Sequence, residues 1–196
     1  MSNHSGIQLF VGLGNPGAQY VATRHNAGFW WVDMIAQDTN CRLQHESKFF
    51  GEAGRCKLGG NEAWLLKPAT FMNASGRAVA ALANFYKIPP EAILVIHDEL
   101  DLPAGSIKLK KGGGHGGHNG LKDIIACLGT KEFWRLRIGI DHPGERSAVV
   151  SYVLNAPMKE EQRAIDEAMD KSTAILPTLL EGNMELAMLK LHTKPA

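Results

Sequence analysis

Four short stretches of this chain carry side chains suited to acid–base and carbonyl chemistry. They are Arg24-His25-Asn26-Ala27-Gly28, Asp98-Glu99 behind His97, Asn73 behind Phe71-Met72, and the run from Lys110 through Asn119 to Gly120. A neutral imidazole such as His25 takes a proton from water at physiological pH. A carboxylate such as Asp98 on its other nitrogen would fix the tautomer and stabilise the imidazolium as it forms. The carboxamides of Asn73 and Asn119 donate to a carbonyl oxygen and accept from N–H, which suits a peptide-like substrate and a developing oxyanion. Taken singly, each of these groups also suits a helix cap or a turn, so the chemistry requires that they converge.

The run Lys110-Lys111-Gly112-Gly113-Gly114-His115-Gly116-Gly117-His118-Asn119-Gly120 holds six glycines within nine residues. Ordering so many glycines costs more backbone entropy than a structural turn requires. Leu121 to Leu128 follows as a short amphipathic helix. A basic, glycine-rich turn feeding a helix N-terminus suits an anion, because free N–H groups and the helix dipole point there. The plain alternative is a flexible surface loop.

Other chemistries find less support. Gly12-x-Gly14-x-x-Gly17 has the dinucleotide spacing, but Pro16 removes an N–H from the turn and no helix starts at the third glycine. That turn presents Asn15 instead, with Tyr20 just beyond. His115-x-x-His118, completed by His97-Asp98-Glu99, is the competing metal reading, although a glycine loop makes a poor rigid site. No nucleophile elbow surrounds a serine, and Ser75 has no base near it in sequence. Cys41, Cys56 and Cys127 are odd in number and widely spaced, which points to buried thiols rather than a disulfide framework.

The elements that must position these groups alternate. Strands are expected at 7–11, 49–57, 63–67, 92–96, 106–110 and 133–140, from short apolar runs between turn residues. Helices are expected at 26–37, with Thr23 or Asn26 as N-cap, at 73–86, and over 160–176 and 184–191. The continuous apolar run at 92–96 marks a strand covered on both faces. The pattern predicts an α/β fold: one three-layer domain over 1–196, with a mixed, mostly parallel twisted sheet flanked by helices and a helical C-terminal segment. Residues 1–6 are expected to form a flexible lead. In open sheets of this kind ligands bind beyond the carboxyl ends of the strands, so the polar exits could share one crevice.

With 196 residues, 44% hydrophobic and 21% charged, the chain has the composition of a soluble globular protein with a sizeable core. It has no long apolar run and no signal segment, so the cytoplasm is the expected compartment. Net charge is +1, yet the charge is unevenly spread. Lys108 to Arg137 holds seven basic residues against Asp123 and Glu132, whereas Lys159 to Glu185 is predominantly acidic. One face could thus attract phosphates.

Several motifs together resemble the bacterial-type peptidyl-tRNA hydrolase family over residues 7–192. They are Val11-Gly12-Leu13-Gly14-Asn15-Pro16-Gly17 with Tyr20, Thr23-Arg24-His25-Asn26-Ala27-Gly28, and Pro68-Ala69-Thr70-Phe71-Met72-Asn73-Ala74-Ser75-Gly76. His97-Asp98-Glu99-Leu100-Asp101-Leu102-Pro103, the glycine loop through Asp123, and Arg135-Leu136-Arg137-Ile138-Gly139-Ile140 complete the set. Ala69 is a minor departure. The resemblance implies a monomeric esterase without metal or cofactor, which frees tRNA from peptidyl-tRNA, with stalled 50S ribosomal subunits as a further partner and no membrane. It implies His25 as general base and Asp98 as its orienting partner. It further implies that Asn15 senses the acylated amino group, that Asn73 and Asn119 hold substrate and water, that Tyr20 and Phe71 line the cleft, and that Lys110 and Arg137 grip phosphate. A non-catalytic tRNA-binding module and a nucleotide-dependent oxidoreductase are the alternatives.

Overall fold

In the computed structural model, which describes residues 6–193, the strands join one seven-stranded sheet in the order β2-β3-β4-β1-β5-β7-β6. These are β1 Leu9–Gly12, β2 Gln44–Glu46, β3 Gly51–Leu58, β4 Asn61–Pro68, β5 Ile93–Glu99, β6 Ile107–Lys111 and β7 Trp134–Gly139. β1 runs parallel to β4 and β5, and β5 runs parallel to β7. The β2–β3, β3–β4 and β6–β7 pairs are antiparallel. The central four strands therefore share one direction. Leu9 to Val11 and Ile93 to Ile96 are fully buried, as strands covered on both faces must be.

Helices α1 Ala27–Asp38, α5 Lys159–Ser172, α6 Leu176–Glu181 and α7 Met184–His192 cover one face. Phe10, Trp31, Leu94, Ile96, Leu136 and Leu179 are among the residues of that core. Helices α2 Ser75–Phe85 and α3 Asn119–Leu128 cover the other, over Leu9, Val11, Val79, Leu82, Val95 and Ile124. The expected three-layer α/β architecture is realised. Helix α4, Val149–Val153, is a short addition that the sequence pattern did not reveal, as are β2 and α6.

The chain crosses from β4 through α2 to β5, passing β1, while α1 leaves β1 on the opposite face. Both helices thus start at the carboxyl edge of the sheet, where a crevice opens between them. Gly28 lets α1 seat there, because a Cβ at this position would overlap the Ile96 carbonyl oxygen and the Leu13 nitrogen. The turn of 3-10 helix at Arg24–Asn26 is thereby pressed against the end of β5.

Several local expectations need correcting. β5 does not stop at Ile96 but runs through Asp98 to Glu99, because β7 pairs with it that far. Neither Thr23 nor Asn26 caps α1 by its side chain. A disulfide joins Cys41, in the turn after α1, to Cys56 on β3, their Cα atoms 5.3 Å apart, and Cys127 is exposed. The expectation of three buried thiols missed this because the turn after α1 folds back over β3, where a Cβ on Gly54 would meet the Arg42 carbonyl. The lead expected over 1–6 lies outside the described residues except for Gly6, which is buried against Leu180.

Candidate active site

Asp98 sits at the carboxyl end of β5, with its side chain 2% exposed. Two histidines from distant parts of the chain donate to it. His25 Nδ1 lies 2.9 Å from Oδ2 and His118 Nε2 lies 2.8 Å from Oδ1. A carboxylate only accepts, so the proton of His25 is on Nδ1 and its Nε2 is left bare. Among the described residues no protein group bonds that Nε2. His97, one residue before Asp98, donates its Nδ1 proton to the Asp98 carbonyl at 2.8 Å and has no partner at its buried Nε2.

The electrostatics follow from this arrangement. Burial pulls the His25 pKa down, but the charge and hydrogen bond of Asp98 more than offset it, leaving the group above its ordinary 6.5. Burial works to raise Asp98, yet His25, His118 and their hydrogen bonds hold it well below the usual carboxylate range. Burial, aided by His118, pushes His97 down to about 3, so it stays neutral.

A second clasp holds the crevice from below. The Asn26 side chain accepts from the Asn15 backbone N–H at 2.8 Å and donates to the Asn15 carbonyl at 3.0 Å. Asn15 Oδ1 in turn accepts from the Met72 N–H at 2.7 Å. The loops after β1 and β4 and the turn bearing His25 are thus bolted together. The Asn15 amide orientation is fixed by this, with its Nδ2 as the remaining donor.

The cleft encloses about 530 Å³ and is lined by Asn15, His25, Phe71, Asn73, Asp98, Lys110, Asn119 and Arg137, among others. These eight of the nine expected site residues are therefore brought together. The ninth, Tyr20, does not line the cleft. It stands edge-on against Phe71, ring centroids 6.4 Å apart, and so supports the wall from behind. Arg137 is not a free cation either, since its Nε donates to Glu99 at 2.9 Å.

The glycine loop is arranged differently from an open anion cradle. The Gly120 and Leu121 N–H groups at the start of α3 are taken by His118 Nδ1, at 3.1 and 3.3 Å. His118 is the N-cap, so the donors expected for an anion are spent on it. Arg135, 2% exposed, reaches from β7 to the carbonyls of Gly113 and Gly114, both at 2.6 Å. His25, Asp98 and His118 lie close enough to suggest a cation site, within 4.8 Å of one another. The atoms that would ligate it are bonded to each other instead, the pattern of a proton-transfer network. His115 turns away, accepting from Gly117 in an exposed turn.

Sequence reading missed four contributors: His118 as second donor to Asp98, Asn26 as clasp, Arg135 as loop anchor, and an apolar wall from α4. Val149, Val150, Val153 and Leu154 form that wall. Arg24 fixes it, donating to the carbonyls of Tyr152 and Asn155 at 2.9 and 3.2 Å and pairing with Glu161 at 3.3 Å. The histidine immediately before a helical pattern was the one available signal for the cap.

Comparison with known proteins places this geometry in a family. The profile described as peptidyl-tRNA hydrolase matches residues 9–196. The peptidyl-tRNA hydrolase of Methylobacillus flagellatus is 68% identical over 190 residues, covering 97% of this chain and 98% of that protein. That of Neisseria meningitidis serogroup B is 59% identical over 188 residues, covering 96% and 98%. The crystal structure of peptidyl-tRNA hydrolase from Acinetobacter baumannii superposes with a TM-score of 0.95 at 47% identity, over the whole of both chains. With fold, length and sequence in agreement from β1 onward, this chain belongs to the peptidyl-tRNA hydrolase family.

Proposed function

We propose that the cleft hydrolyses the ester joining a peptide to the terminal ribose of tRNA, with His25 as general base. The observation that carries this is the His25–Asp98 bond at 2.9 Å on the cleft wall, which leaves Nε2 as an unprotonated acceptor. Nε2 takes a proton from water, and the oxygen attacks the ester carbonyl. The bond to the ribose oxygen then breaks, and that oxygen recovers a proton from the imidazolium. The products are a peptide carboxylic acid, which gives its proton to solvent to become the carboxylate, and a free tRNA terminus. An ester is activated enough that a positioned water, one base and amide donors suffice.

The lining supports this orientation of substrate. Lys110 and Arg137 make one corner basic, suited to RNA phosphate, while Phe71 and Val150, 60% and 70% exposed, offer apolar surface to a peptide. Asn73 and Asn119 supply amides for substrate and water. Asn15 Nδ2 can donate to the carbonyl that an N-acylated substrate carries beside the ester. A free aminoacyl ammonium would meet another donor there, which disfavours it. This gives a physical basis for choosing peptidyl- over aminoacyl-tRNA. No helix among the described residues is long and apolar enough to cross a membrane. The enzyme is read as a cytoplasmic monomer that needs no metal and meets its substrate free or on stalled 50S subunits.

The test is hydrolysis of N-acetylated and unblocked aminoacyl-tRNA side by side, with EDTA present. Cleavage of the blocked ester alone, undiminished by chelator, is expected. His25→Ala should keep tRNA binding and lose on the order of 10²-fold or more in turnover. Unchanged turnover in that variant overturns the base assignment, and dependence on added metal overturns the metal-free chemistry.

A further inference from the structure

Asp98 is held by two imidazoles, and the second is wired to a helix. His118 Nδ1 accepts from the Gly120 and Leu121 amides at the head of α3, so that nitrogen carries no proton. Its proton is therefore on Nε2, where it is donated to Asp98 Oδ1 at 2.8 Å. Asp98 Oδ2 holds His25 on the other side at 2.9 Å, and the two rings lie 5.0 Å apart, centroid to centroid. A chain of hydrogen bonds thus runs from the α3 amides through His118 and Asp98 to His25. Each bond in such a chain polarises the next.

We propose that His118 is a positioning residue that carries the polarity of the α3 N-terminus to Asp98 and so sets the basicity of His25. The inference rests on His25 being the base. Two donors share the carboxylate charge, and what His118 takes is not available to hold the His25 proton. With His118's donor removed, Asp98 would grip the imidazolium more strongly and His25 would lose its proton only at higher pH. His118 thereby keeps the base deprotonated near neutrality while Asp98 still fixes its tautomer. The same ring anchors the end of the glycine loop, so the placement of that loop and the readiness of the base are linked.

Other charged and titratable groups face this pair. They are His97 and Glu99 on β5, Asp101 just after it, Lys110 on β6, and Arg135 and Arg137 on β7, while His115 at the rim is turned to Gly117. Arg24, paired with Glu161 of α5, adjoins His25 from behind. None of them bonds the Asp98 carboxylate, which accepts from His25 and His118 alone among the described residues.

Two substitutions separate the roles of the ring. His118→Asn keeps an oxygen where Nδ1 caps α3 but is too short to reach Asp98. His118→Gln places an amide N–H near the position of Nε2 and sacrifices the cap. In His118→Asn the acid limb of the kcat/KM–pH profile should move up by roughly half to one pH unit, and the His25 imidazole titration followed by NMR should move with it. In His118→Gln both should stay near the parent values although the helix is less stable. A role that is only structural would lower activity at every pH without moving the limb. An unmoved His25 titration in His118→Asn, or an equal upward shift in His118→Gln, overturns the proposal. In the unaltered protein, nitrogen shifts showing His118 protonated on Nδ1 do the same, whether or not either variant folds. The NMR titration reads the coupling without turnover, so its failure is distinct from failure of the base assignment, which shows as retained turnover in His25→Ala.

Discussion

Replacing Asp98 by Asn removes one charge and almost no volume, and the structure dictates where the damage falls. Asp98 accepts a hydrogen bond on each oxygen, whereas an amide has one acceptor and one donor end. If the donor end faced His118, the His118 proton would have to move to Nδ1, and the Gly120 and Leu121 amides would lose their acceptor. The less costly orientation keeps the amide oxygen on His118 and turns the NH₂ toward His25. His25 must then accept at Nδ1 and carry its proton on Nε2, the nitrogen that should receive a proton from water. The variant folds around the wrong tautomer. The lost charge adds to this, since an imidazolium and a carboxylate with centres about 4 Å apart, at an effective dielectric near 20, attract by about 4 kcal/mol. That corresponds to about a thousandfold in rate, within the range of 10²–10⁴ for a misoriented base. The assay is hydrolysis of N-acetylaminoacyl-tRNA at saturating and limiting substrate, with binding of uncleaved tRNA measured separately. We expect kcat to collapse while tRNA affinity stays near the parent value. The acid limb should also fall to lower pH, because burial alone then acts on His25. A variant that keeps close to parental kcat would refute the assignment of Asp98 and the tautomer argument together.

Three further outcomes follow from groups around that pair. His97 is depressed to about 3 from an ordinary 6.5, so between those values the unfolded chain binds a proton that the folded protein refuses. Stability should fall as pH falls through that window, by up to about 1.4 kcal/mol per unit from this group. His97→Asn, which keeps a donor for the Asp98 carbonyl, should flatten that slope in urea melts, and an unchanged slope would show that His97 titrates normally. Lys110→Ala with Arg137→Ala should weaken tRNA binding and reduce its log–log salt slope by about 0.7–0.9 per lost contact. Glu99→Gln should tighten binding, because it frees Arg137 from its ion pair; equal affinity would place the phosphate grip elsewhere. Arg24→Ala removes a charged donor from Glu161 and from the Tyr152 and Asn155 carbonyls, each of which keeps one backbone N–H. A loss of about 2 kcal/mol in thermal or denaturant unfolding is expected, with a raised KM for long peptides as the α4 wall loosens.

How far the sequence revealed this site depends on the range of the interaction involved. Strands with continuous apolar runs, such as Ile93 to Ile96, announce their burial, and the alternation of such runs with helical patterns was enough for the layered fold. His25, Asp98, Asn73 and Asn119 stood out because polar residues at element boundaries are cheap to notice. What stayed hidden was pairing. Nothing near Asn26 says that its amide clasps Asn15 rather than capping α1, since either use satisfies an amide. His118 read as one of two loop histidines, because a cap and a carboxylate contact require the positions of α3 and β5 together. Strand β5 was cut short at Ile96 for the same reason, as His97 and Asp98 look like a polar exit until β7 is laid beside them. The Tyr20 ring fell outside the cleft because an aromatic in a turn can face either side of its neighbour.

Three imidazoles crowd this carboxylate, and the hydrogen bonds leave each with a different nitrogen to offer. His118 Nδ1 is occupied by two helix amides. His97 Nε2 is buried without a partner. The His25 acceptor nitrogen has no protein partner among the described residues either, and its side chain, 12% exposed, is the one open to the cleft. A carboxylate that accepts a proton donor on each oxygen still presents its negative charge to the imidazolium that forms at His25. The His25–Asp98 pair then changes from charge −1 to zero as the base works, which a buried pocket tolerates better than a lone imidazole going from zero to +1.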